Sequence, residues 1–337
     1  MHIGIQEGIP LHFLKFHPEI TYEWIPSSFE RNSNIEELLI KADFPITKDT
    51  LLKLPRLKKV GLVSTGTDNI DFHALQEKDI QLYTAKGINS TAVRDYVIQA
   101  FFSFCLHYNI HPQSIQVGIV GYGNIGKKVA RFLENTSIRF KIYDPYVLPE
   151  KDPSELSNCD LLTFHVPLTK TGKHPTHEFL RKENPFFQKQ IPYIINTSRG
   201  KIWDVSFYEF VIKQQKIFAQ DVYPKEPLPQ EKWNVWLLPK ICTPHIAGYS
   251  AKGRLGGIAK ILCKDWKVAR IKYFPHGTAK LIEHDSNTFK EKPSEFLNLR
   301  KNYALRKELQ DYTEKEKQEF MNYFSAIDKS ILVAAFL

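Results

Sequence analysis

Short apolar runs alternate with longer, partly polar stretches along most of this chain, and the alternation predicts an α/β protein. The run Val117–Val120 has the length and the β-branched composition of a buried parallel strand. A helix is predicted after it over Lys127–Leu133, and a long crossover helix over Thr91–His107. Similar runs predict strands at Ile3–Ile5, Val60–Val63, Phe140–Tyr143, Leu161–Val166, Tyr193–Asn196 and Phe218–Gln220, and helices near Ile35–Ile40 and Ser250–Val268.

A glycine motif follows the strand at Val117–Val120, where the chain reads Gly121-x-Gly123-x-x-Gly126. Gly121 would make a tight turn, Gly123 would let the backbone approach a pyrophosphate, and Gly126 would allow close packing of helix and strand. The N-terminus of the following helix would then face the phosphates. The alternative is an ordinary glycine-rich turn, but the flanking strand and helix favour a dinucleotide site.

An acidic residue stands where the next strand ends. Asp144 follows Phe140–Tyr143 and lies 18 residues after Gly126, a spacing at which a carboxylate accepts hydrogen bonds from the adenosine ribose hydroxyls. This carboxylate would repel a 2′-phosphate, and the two residues after it provide no arginine to bind one. The predicted cofactor is therefore NAD rather than NADP.

Three polar residues downstream of the glycine motif have the chemistry to oxidise a 2-hydroxy acid. Arg199 can bind a carboxylate through two parallel hydrogen bonds. His245 can take the hydroxyl proton as a general base, and Glu226 can orient the imidazole. Each residue alone is more often structural, in a turn or a loop. Their order after the fingerprint favours catalytic roles for all three.

At these residues the chain resembles the D-isomer-specific 2-hydroxyacid dehydrogenase family. The shared features are the glycine loop, the arginine before Gly200, the segment Asp221–Pro227 and the segment Pro244–Gly248, in this order. The resemblance covers roughly residues 36–262 and implies Arg199, Glu226 and His245 as catalytic residues. It implies cofactor contacts at Gly121, Gly123, Asn124, Ile125, Gly126, Asp144, Val166, Thr197, Ser198, Asp221 and Gly248, and substrate contacts at Ser64, Thr65 and Tyr249.

The resemblance also implies a fold and a domain plan. A Rossmann-type, doubly wound parallel sheet would bind NAD over residues 87–249. A smaller, discontinuous, flavodoxin-like α/β domain would bind substrate over residues 1–86 and 250–275. Residues 276–337 would form a short C-terminal appendage, because Phe296–Glu308 resembles part of a dimerisation domain, and this implies a homodimer.

Several stretches resemble a branch of the family that oxidises a phosphorylated D-2-hydroxy acid. They include Gly87–Val97, His245–Ser250 and Phe296–Glu308. That branch carries an Arg-Ser pair after its second N-terminal strand, whereas the corresponding Lys41–Lys48 contains no such pair. The alternatives are therefore a phosphorylated acid, another D-2-hydroxy acid or 2-oxo acid, and an NAD-sensing regulatory protein on the same fold.

The composition is ordinary for a folded protein of two domains with an appendage: 337 residues, 42% apolar and 25% charged. No run approaches the roughly 20 apolar residues that span a bilayer, and the N-terminus lacks a signal-peptide pattern. We therefore expect a cytoplasmic protein without a membrane partner. Four cysteines without paired or metal-ligand spacing predict reduced thiols and no metal site: Cys105, Cys159, Cys242 and Cys263.

The formal net charge of +9 raises the alternative of nucleic-acid binding. The excess lies in the first 275 residues, because the remainder carries equal numbers of basic and acidic side chains. No nucleic-acid-binding motif is found. A cationic cleft that attracts NAD and a small anionic substrate, or a solvated basic face, is the favoured interpretation.

Overall fold

The structure of the protein is a computed structural model, which describes residues 1–32, 34–266, 269–271, 296, 298–300 and 303–337. The chain divides into two compact units. The first contains Met1–Asn89 and Ser250–Gly277, and the second contains Ser90–Tyr249 and Thr278–Leu337.

The regular elements are short, as expected for alternating strands and helices. The strands are β1 His2–Gln6, β2 Leu14–Phe16, β3 Thr21–Ile25, β4 Glu37–Ile40, β5 Lys59–Leu62, β6 Gln81–Thr84, β7 Gln116–Val120, β8 Arg139–Tyr143, β9 Leu161–Phe164, β10 Tyr193–Asn196, β11 Ile217–Gln220, β12 Ile241–Cys242 and β13 Ala269–Ile271. The α-helices are α1 Lys48–Lys53, α2 Phe72–Glu77, α3 Ser90–Tyr108, α4 Asn124–Asn135, α5 Val205–Lys213, α6 Trp233–Trp236, α7 Ala251–Ala259, α8 Glu314–Tyr323 and α9 Lys329–Ala334. A π-helix, Lys260–Asp265, continues α7, and 3₁₀ turns cover Pro112–Ser114, Pro153–Asn158, Pro185–Phe187, Gly200–Ile202, Gln230–Lys232 and Leu309–Asp311.

The first unit is built on a five-stranded parallel sheet with the order β3-β1-β4-β5-β6. Numbered by appearance, this order is 2-1-3-4-5, which is the flavodoxin-like arrangement. A separate antiparallel pair joins β2 to β13. The sheet therefore confirms the predicted flavodoxin-like fold of the smaller unit.

The helix predicted near Ile35–Ile40 was wrong, because these residues contain strand β4. The strand lies between β1 and β5, and all four of its residues are buried. The short apolar run Leu38–Ile40 fits a central parallel strand or one side of a helix equally well, so hydrophobic periodicity cannot separate them. The run is too short for a typical helix, and its length was the better guide.

The second unit is built on a six-stranded parallel sheet with the order β12-β11-β10-β9-β7-β8. Neighbouring residues of one strand point to opposite faces. Accordingly Leu161 and Ile195 belong to one buried cluster, while Leu162 and Ile194 belong to another. The first cluster includes side chains of α3 and α4, and the second includes side chains of α5. Helices thus cover both faces, as predicted for a doubly wound sheet.

The last described segment packs on the first of these clusters. Phe320 of α8 and Phe324, the C-cap residue of that helix, lie beside Phe102 of α3, whose ring centroid is 5.4 Å from that of Phe324. Ile331 and Leu332 of α9 are buried in the same cluster. Helix α9 therefore extends the core of the second unit. The division into three domains stays a prediction.

None of the helices in the described ranges combines the length and the hydropathy that crossing a membrane requires. Those ranges also hold no group of three or more His, Cys, Asp or Glu side chains arranged to bind a metal ion. Cys105, Cys159 and Cys242 are buried free thiols, and Cys263 is partly exposed.

Candidate active site

The glycine motif forms the turn from β7 to α4. Gly121 has a φ of +96°, a conformation that side chains other than glycine rarely adopt. A Cβ at Gly121 would lie 2.7 Å from the carbonyl oxygen of His165, and a Cβ at Gly126 would lie 2.0 Å from that of Gly121. Both positions therefore need glycine for turn geometry and for the close packing of α4 on the sheet.

Gly123 differs from these two glycines, because no atom of the described residues stands in the way of a side chain there. A Cβ there would meet no atom within 4 Å, so the space in front of this residue is open. Gly123 is also the N-cap of the 12-residue helix α4, and its cap includes no side-chain hydrogen bond. Asn124 and Ile125 begin that helix. Its first N–H groups therefore border an open space, which fits the pyrophosphate of a dinucleotide.

Asp144 lies directly after β8 and is bonded to the glycine loop. Its Oδ2 accepts a hydrogen bond from the Tyr122 N–H at 2.8 Å, and its Oδ1 accepts one from the Tyr146 N–H at 3.0 Å. A carboxylate has about four acceptor positions, so capacity remains for ribose hydroxyls. Asp144 is half-buried. These features fit the predicted adenosine side of the site.

Polar atoms without protein partners gather where β9 and β10 end. Within the described residues, His165 Nδ1, Asn196 Nδ2 and Thr197 Oγ1 are buried and make no hydrogen bond. Burial lowers the pKa of His165 to about 3, so this imidazole is neutral. The predicted contacts Val166, Thr197 and Ser198 also follow these strands. Open α/β sheets bind ligands at this edge, and unsatisfied polar atoms there suit a cofactor.

The structure brings His245 and Glu226 together. The imidazole Nδ1 lies 2.8 Å from Glu226 Oε2, and Glu226 Oε1 accepts a hydrogen bond from the Tyr223 N–H at 3.0 Å. Burial raises the pKa of Glu226, but the imidazole, the Tyr223 N–H and the nearby Arg300 outweigh it, so this pKa lies below its usual value. An ionised carboxylate only accepts, so Nδ1 carries the proton and Nε2 is available for proton transfer.

The backbone at His245 is held in an uncommon conformation. Its φ is +57°, and its N–H donates to the Asp221 carbonyl oxygen at 2.7 Å. The Asp221 carboxylate accepts from the N–H groups of Ile246 and Ala247 at 2.7 and 3.0 Å, and from the Thr243 hydroxyl. Asp221 is 1% exposed, and burial raises its pKa. It therefore fixes the loop after His245, and its predicted contact with the cofactor stays a prediction.

A second buried side chain, Arg306, binds the carbonyl groups of the same loop. Arg306 is 0% exposed and donates through Nη1 to the Ile246 carbonyl oxygen at 3.1 Å. Its Nη2 donates to the carbonyl oxygens of Ala247 and Ala92, the latter at 2.7 Å. Asp221 thus binds the N–H groups of Ile246 and Ala247, and Arg306 binds their carbonyl groups. These two residues belong to the proposed catalytic loop, residues 244–249.

The backbone next to Arg199 packs closely against the loop that carries Glu226. Its Nη1 donates to the Ser198 carbonyl oxygen at 2.9 Å, and the side chain is half-buried. A Cβ on Gly200 would stand only 1.7 Å from the Tyr223 carbonyl oxygen. The strand end that carries Arg199 therefore rests on the loop that carries Glu226, and only glycine permits that approach.

Arg300 is a site residue that reasoning from the sequence missed. Its Nε donates to the Tyr249 hydroxyl at 3.0 Å, and its Nη1 lies 3.9 Å from Glu226 Oε2. Tyr249, a predicted substrate contact, therefore lies beside the His245–Glu226 pair. The segment around Arg300 resembled a dimerisation domain, and no spacing rule connects residue 300 to residue 226. Arg306 was missed for the same reason.

Three further predicted residues are Gly248, Ser64 and Thr65. Gly248 follows Ala247 in the catalytic loop and is half-buried. Ser64 and Thr65 belong to the first unit and follow β5. The Ser64 hydroxyl is buried and makes no hydrogen bond to any described residue, as expected of a group reserved for a ligand. Its contact with substrate stays a prediction.

Comparison with known proteins agrees with this geometry. Residues 106–247 match the family model for the NAD binding domain of D-isomer specific 2-hydroxyacid dehydrogenases. The chain is 31% identical over 272 residues to erythronate-4-phosphate dehydrogenase of Tolumonas auensis, covering 76% of this chain and 71% of that protein. It is 34% identical over 254 residues to the enzyme of the same name from Wigglesworthia glossinidia brevipalpis, covering 72% of this chain and 66% of that protein.

Solved structures share the fold at lower identity. The NAD+-bound 3-phosphoglycerate dehydrogenase of Entamoeba histolytica matches with a TM-score of 0.61 and 19% identity, covering 79% of this chain and 96% of that chain. The D-lactate dehydrogenase of Aquifex aeolicus, in complex with NAD and lactic acid, matches with a TM-score of 0.61 and 20% identity, covering 79% and 94%. At these identities the likeness shows the fold alone.

Proposed function

The chain belongs to the D-isomer specific 2-hydroxyacid dehydrogenase family and is an NAD-dependent oxidoreductase of that family, and from this premise we propose that it oxidises erythronate 4-phosphate at C2. The 2.8 Å contact between His245 Nδ1 and Glu226 Oε2 is the observation that carries the catalytic part of this proposal. It unites a general base with the acid that orients it, although the two are 19 residues apart in sequence.

The proton transfer follows from the orientation of the imidazole. With Nδ1–H donating to Glu226, the Nε2 of His245 accepts the proton of the substrate hydroxyl. The His245 side chain is 36% exposed, so a ligand can reach it. The ionised Glu226, 2.8 Å from Nδ1, stabilises the imidazolium that forms by placing a negative charge beside it.

Arg199 provides the second function, which is to bind the carboxylate of the acid. A guanidinium donates two parallel hydrogen bonds and so fixes both the position and the orientation of the group next to C2. Charge-assisted bonds of this kind contribute on the order of 1.5–3 kcal/mol each. Nicotinamide, when bound, supplies the hydride acceptor.

The glycine cradle, Asp144 and the buried polar atoms at the strand ends fit NAD. The open space before Gly123 suits the pyrophosphate, and the half-buried Asp144 suits the ribose. Asp144 also disfavours a 2′-phosphate, in agreement with the prediction of NAD.

The substrate assignment is supported by relatives named erythronate-4-phosphate dehydrogenase that are 31% and 34% identical to this chain. Its test is the formation of NADH by the purified protein from NAD and erythronate 4-phosphate. Glycerate, lactate and longer hydroxy acids are measured separately as alternative substrates in the same assay. Higher kcat/KM for one of these would reject erythronate 4-phosphate as the substrate.

The catalytic roles have a separate test. His245→Ala and Arg199→Ala should abolish turnover while cofactor binding is retained, as followed by calorimetry for NAD or by dihydronicotinamide fluorescence for NADH. An exposed arginine, Arg181, provides the matched control through Arg181→Ala. Normal turnover by either active-site variant would show that the role assigned to that residue is wrong.

We also propose that the protein is a homodimer formed through its C-terminal segment. Tyr323, Val333 and Leu337 are large apolar side chains that are 51%, 44% and 82% exposed on that segment. Light scattering on the purified protein should give twice the mass of one chain. A monomer at micromolar concentration would contradict the proposal.

A further inference from the structure

Arg300 places a second guanidinium beside the proposed catalytic pair. Its Nε is hydrogen-bonded to the Tyr249 hydroxyl at 3.0 Å, and its guanidinium carbon lies 5.9 Å from the centroid of the Tyr249 ring. Its Nη1 is 3.9 Å from Glu226 Oε2, the same oxygen that binds His245. Arg300 therefore lies next to Glu226, which in turn contacts the His245 imidazole that would transfer the proton.

The acidic neighbour of Arg300 does not engage its Nη donors in a hydrogen bond. Glu226 accepts one hydrogen bond from His245 and one from the Tyr223 N–H, and neither comes from Arg300. At 3.9 Å the Arg300–Glu226 contact is an ion pair without a hydrogen bond. Within the described part of the chain, the Nη groups of Arg300 make no hydrogen bond, and the side chain is 46% exposed.

A partly exposed guanidinium whose Nη donors make no hydrogen bond to a described residue is suited to binding an anion. The Tyr249 hydroxyl fixes the Nε side of the fork, so the entropy lost when the Nη donors engage a ligand is reduced. Planar Nη donors match the oxygens of a phosphate or a carboxylate in a bidentate arrangement. A 2-hydroxy acid already has Arg199 for its carboxylate, so a second fixed cation indicates a second negative group on the substrate.

We propose that Arg300, oriented by Tyr249, binds the phosphoryl group of the substrate and selects phosphate monoesters of 2-hydroxy acids over unphosphorylated ones. This inference rests on the proposed function. It assigns the recognition of the distal end of the substrate to the C-terminal segment, although no sequence motif marks that segment as part of the site.

The test compares kcat/KM for erythronate 4-phosphate with kcat/KM for erythronate, using NAD at saturation. The wild-type protein should prefer the phosphorylated acid. Arg300→Ala should reduce that preference by about tenfold to a hundredfold, as expected for the loss of charge-assisted hydrogen bonds. The change should arise mainly from KM for the phosphorylated acid. Arg300→Lys should restore part of the preference, because the charge remains without the fork. The matched control is Arg181→Ala, which removes an exposed arginine that has no assigned role in the site.

The outcomes separate this inference from the proposed function. If the wild type prefers the phosphorylated acid and Arg300→Ala keeps that preference, the role of Arg300 is wrong and the proposed substrate stands. If the wild type turns over erythronate or another acid without preference for a phosphate, both the substrate and the role of Arg300 are overturned. An equal loss for both acids in Arg300→Ala, with no change in the preference, would make Arg300 a support for Glu226 and would also overturn the proposal.

Discussion

Replacement of Arg306 by methionine should destabilise the second unit and disable the catalytic loop together. Arg306 is fully buried and donates to the carbonyl oxygens of Ala92, Ile246 and Ala247. Methionine fills a similar volume but donates no hydrogen bond, so Arg306→Met leaves three main-chain acceptors without their partner. Two of these acceptors immediately follow His245.

The expected loss of unfolding free energy follows from those three hydrogen bonds. Hydrogen bonds to a charged donor are each worth about 1.5–3 kcal/mol, and burying the charge itself opposes part of that gain. Removing one partner from a buried ionic arrangement typically costs about 3–5 kcal/mol. For a unit of this size each kcal/mol lowers Tm by roughly 2–4 °C, so the expected decrease is roughly 6–20 °C.

Denaturant unfolding monitored by tryptophan fluorescence measures the loss of stability, and NADH formation measures the loss of kcat. Arg306→Lys keeps the charge and one or two of the hydrogen bonds, so it should lie between the wild type and Arg306→Met in both assays. Arg181→Met provides the surface control. An unfolding free energy for Arg306→Met within about 0.5 kcal/mol of that control would refute the reasoning.

Three further predictions concern the site itself. Gly200→Ala should lower the free energy of unfolding by about 2 kcal/mol or more and reduce kcat/KM, since its Cβ would stand 1.7 Å from the Tyr223 carbonyl oxygen; unchanged melting and kinetics would contradict this. Asp144→Ser should raise kcat/KM with NADP relative to NAD by about tenfold, and an unchanged ratio would reject the role of this carboxylate. Burial opposes ionisation of Glu226, but its partners, His245 first among them, lower its pKa. Its contribution to stability is therefore present above about pH 4.3 and is lost as the pH falls further. Glu226→Gln should remove this acid-dependent loss from chemical denaturation curves measured from about pH 6 to about pH 3, and parallel curves for the two proteins would exclude it.

Local patterns in the sequence predicted the features of the site that depend on local structure. The turn at Gly121, the helix after Gly123 and the acid at Asp144 belong to one strand–helix–strand unit, in which spacing determines position. The same is true of β10, which occupies Tyr193–Asn196 as predicted. In these cases a single short motif carries enough information to fix the element, and the role of each residue in it stays a prediction.

Residues that act through long-range contacts could not be predicted in this way. Arg300 and Arg306 lie more than 50 residues after the loop they contact, and each belongs to a segment whose sequence resembles part of a dimerisation domain rather than part of a site. Their roles depend on how that segment packs against the second unit. Strand β4 was missed for a related reason, because burial between β1 and β5 decides its conformation and periodicity does not.

The catalytic loop depends on two buried side chains, Asp221 and Arg306, that bind its main chain from opposite sides. His245 has a φ of +57°, and such a backbone conformation costs on the order of 1–3 kcal/mol in a residue other than glycine. Asp221 accepts the N–H groups of the two residues after His245, and Arg306 donates to their carbonyl groups. These bonds together exceed the strain, and they leave the loop one conformation in which Nδ1 meets Glu226. Because Arg306 comes from the C-terminal segment, the orientation of the proposed base depends on that segment being folded, in addition to any role the segment has in dimerisation or in binding substrate.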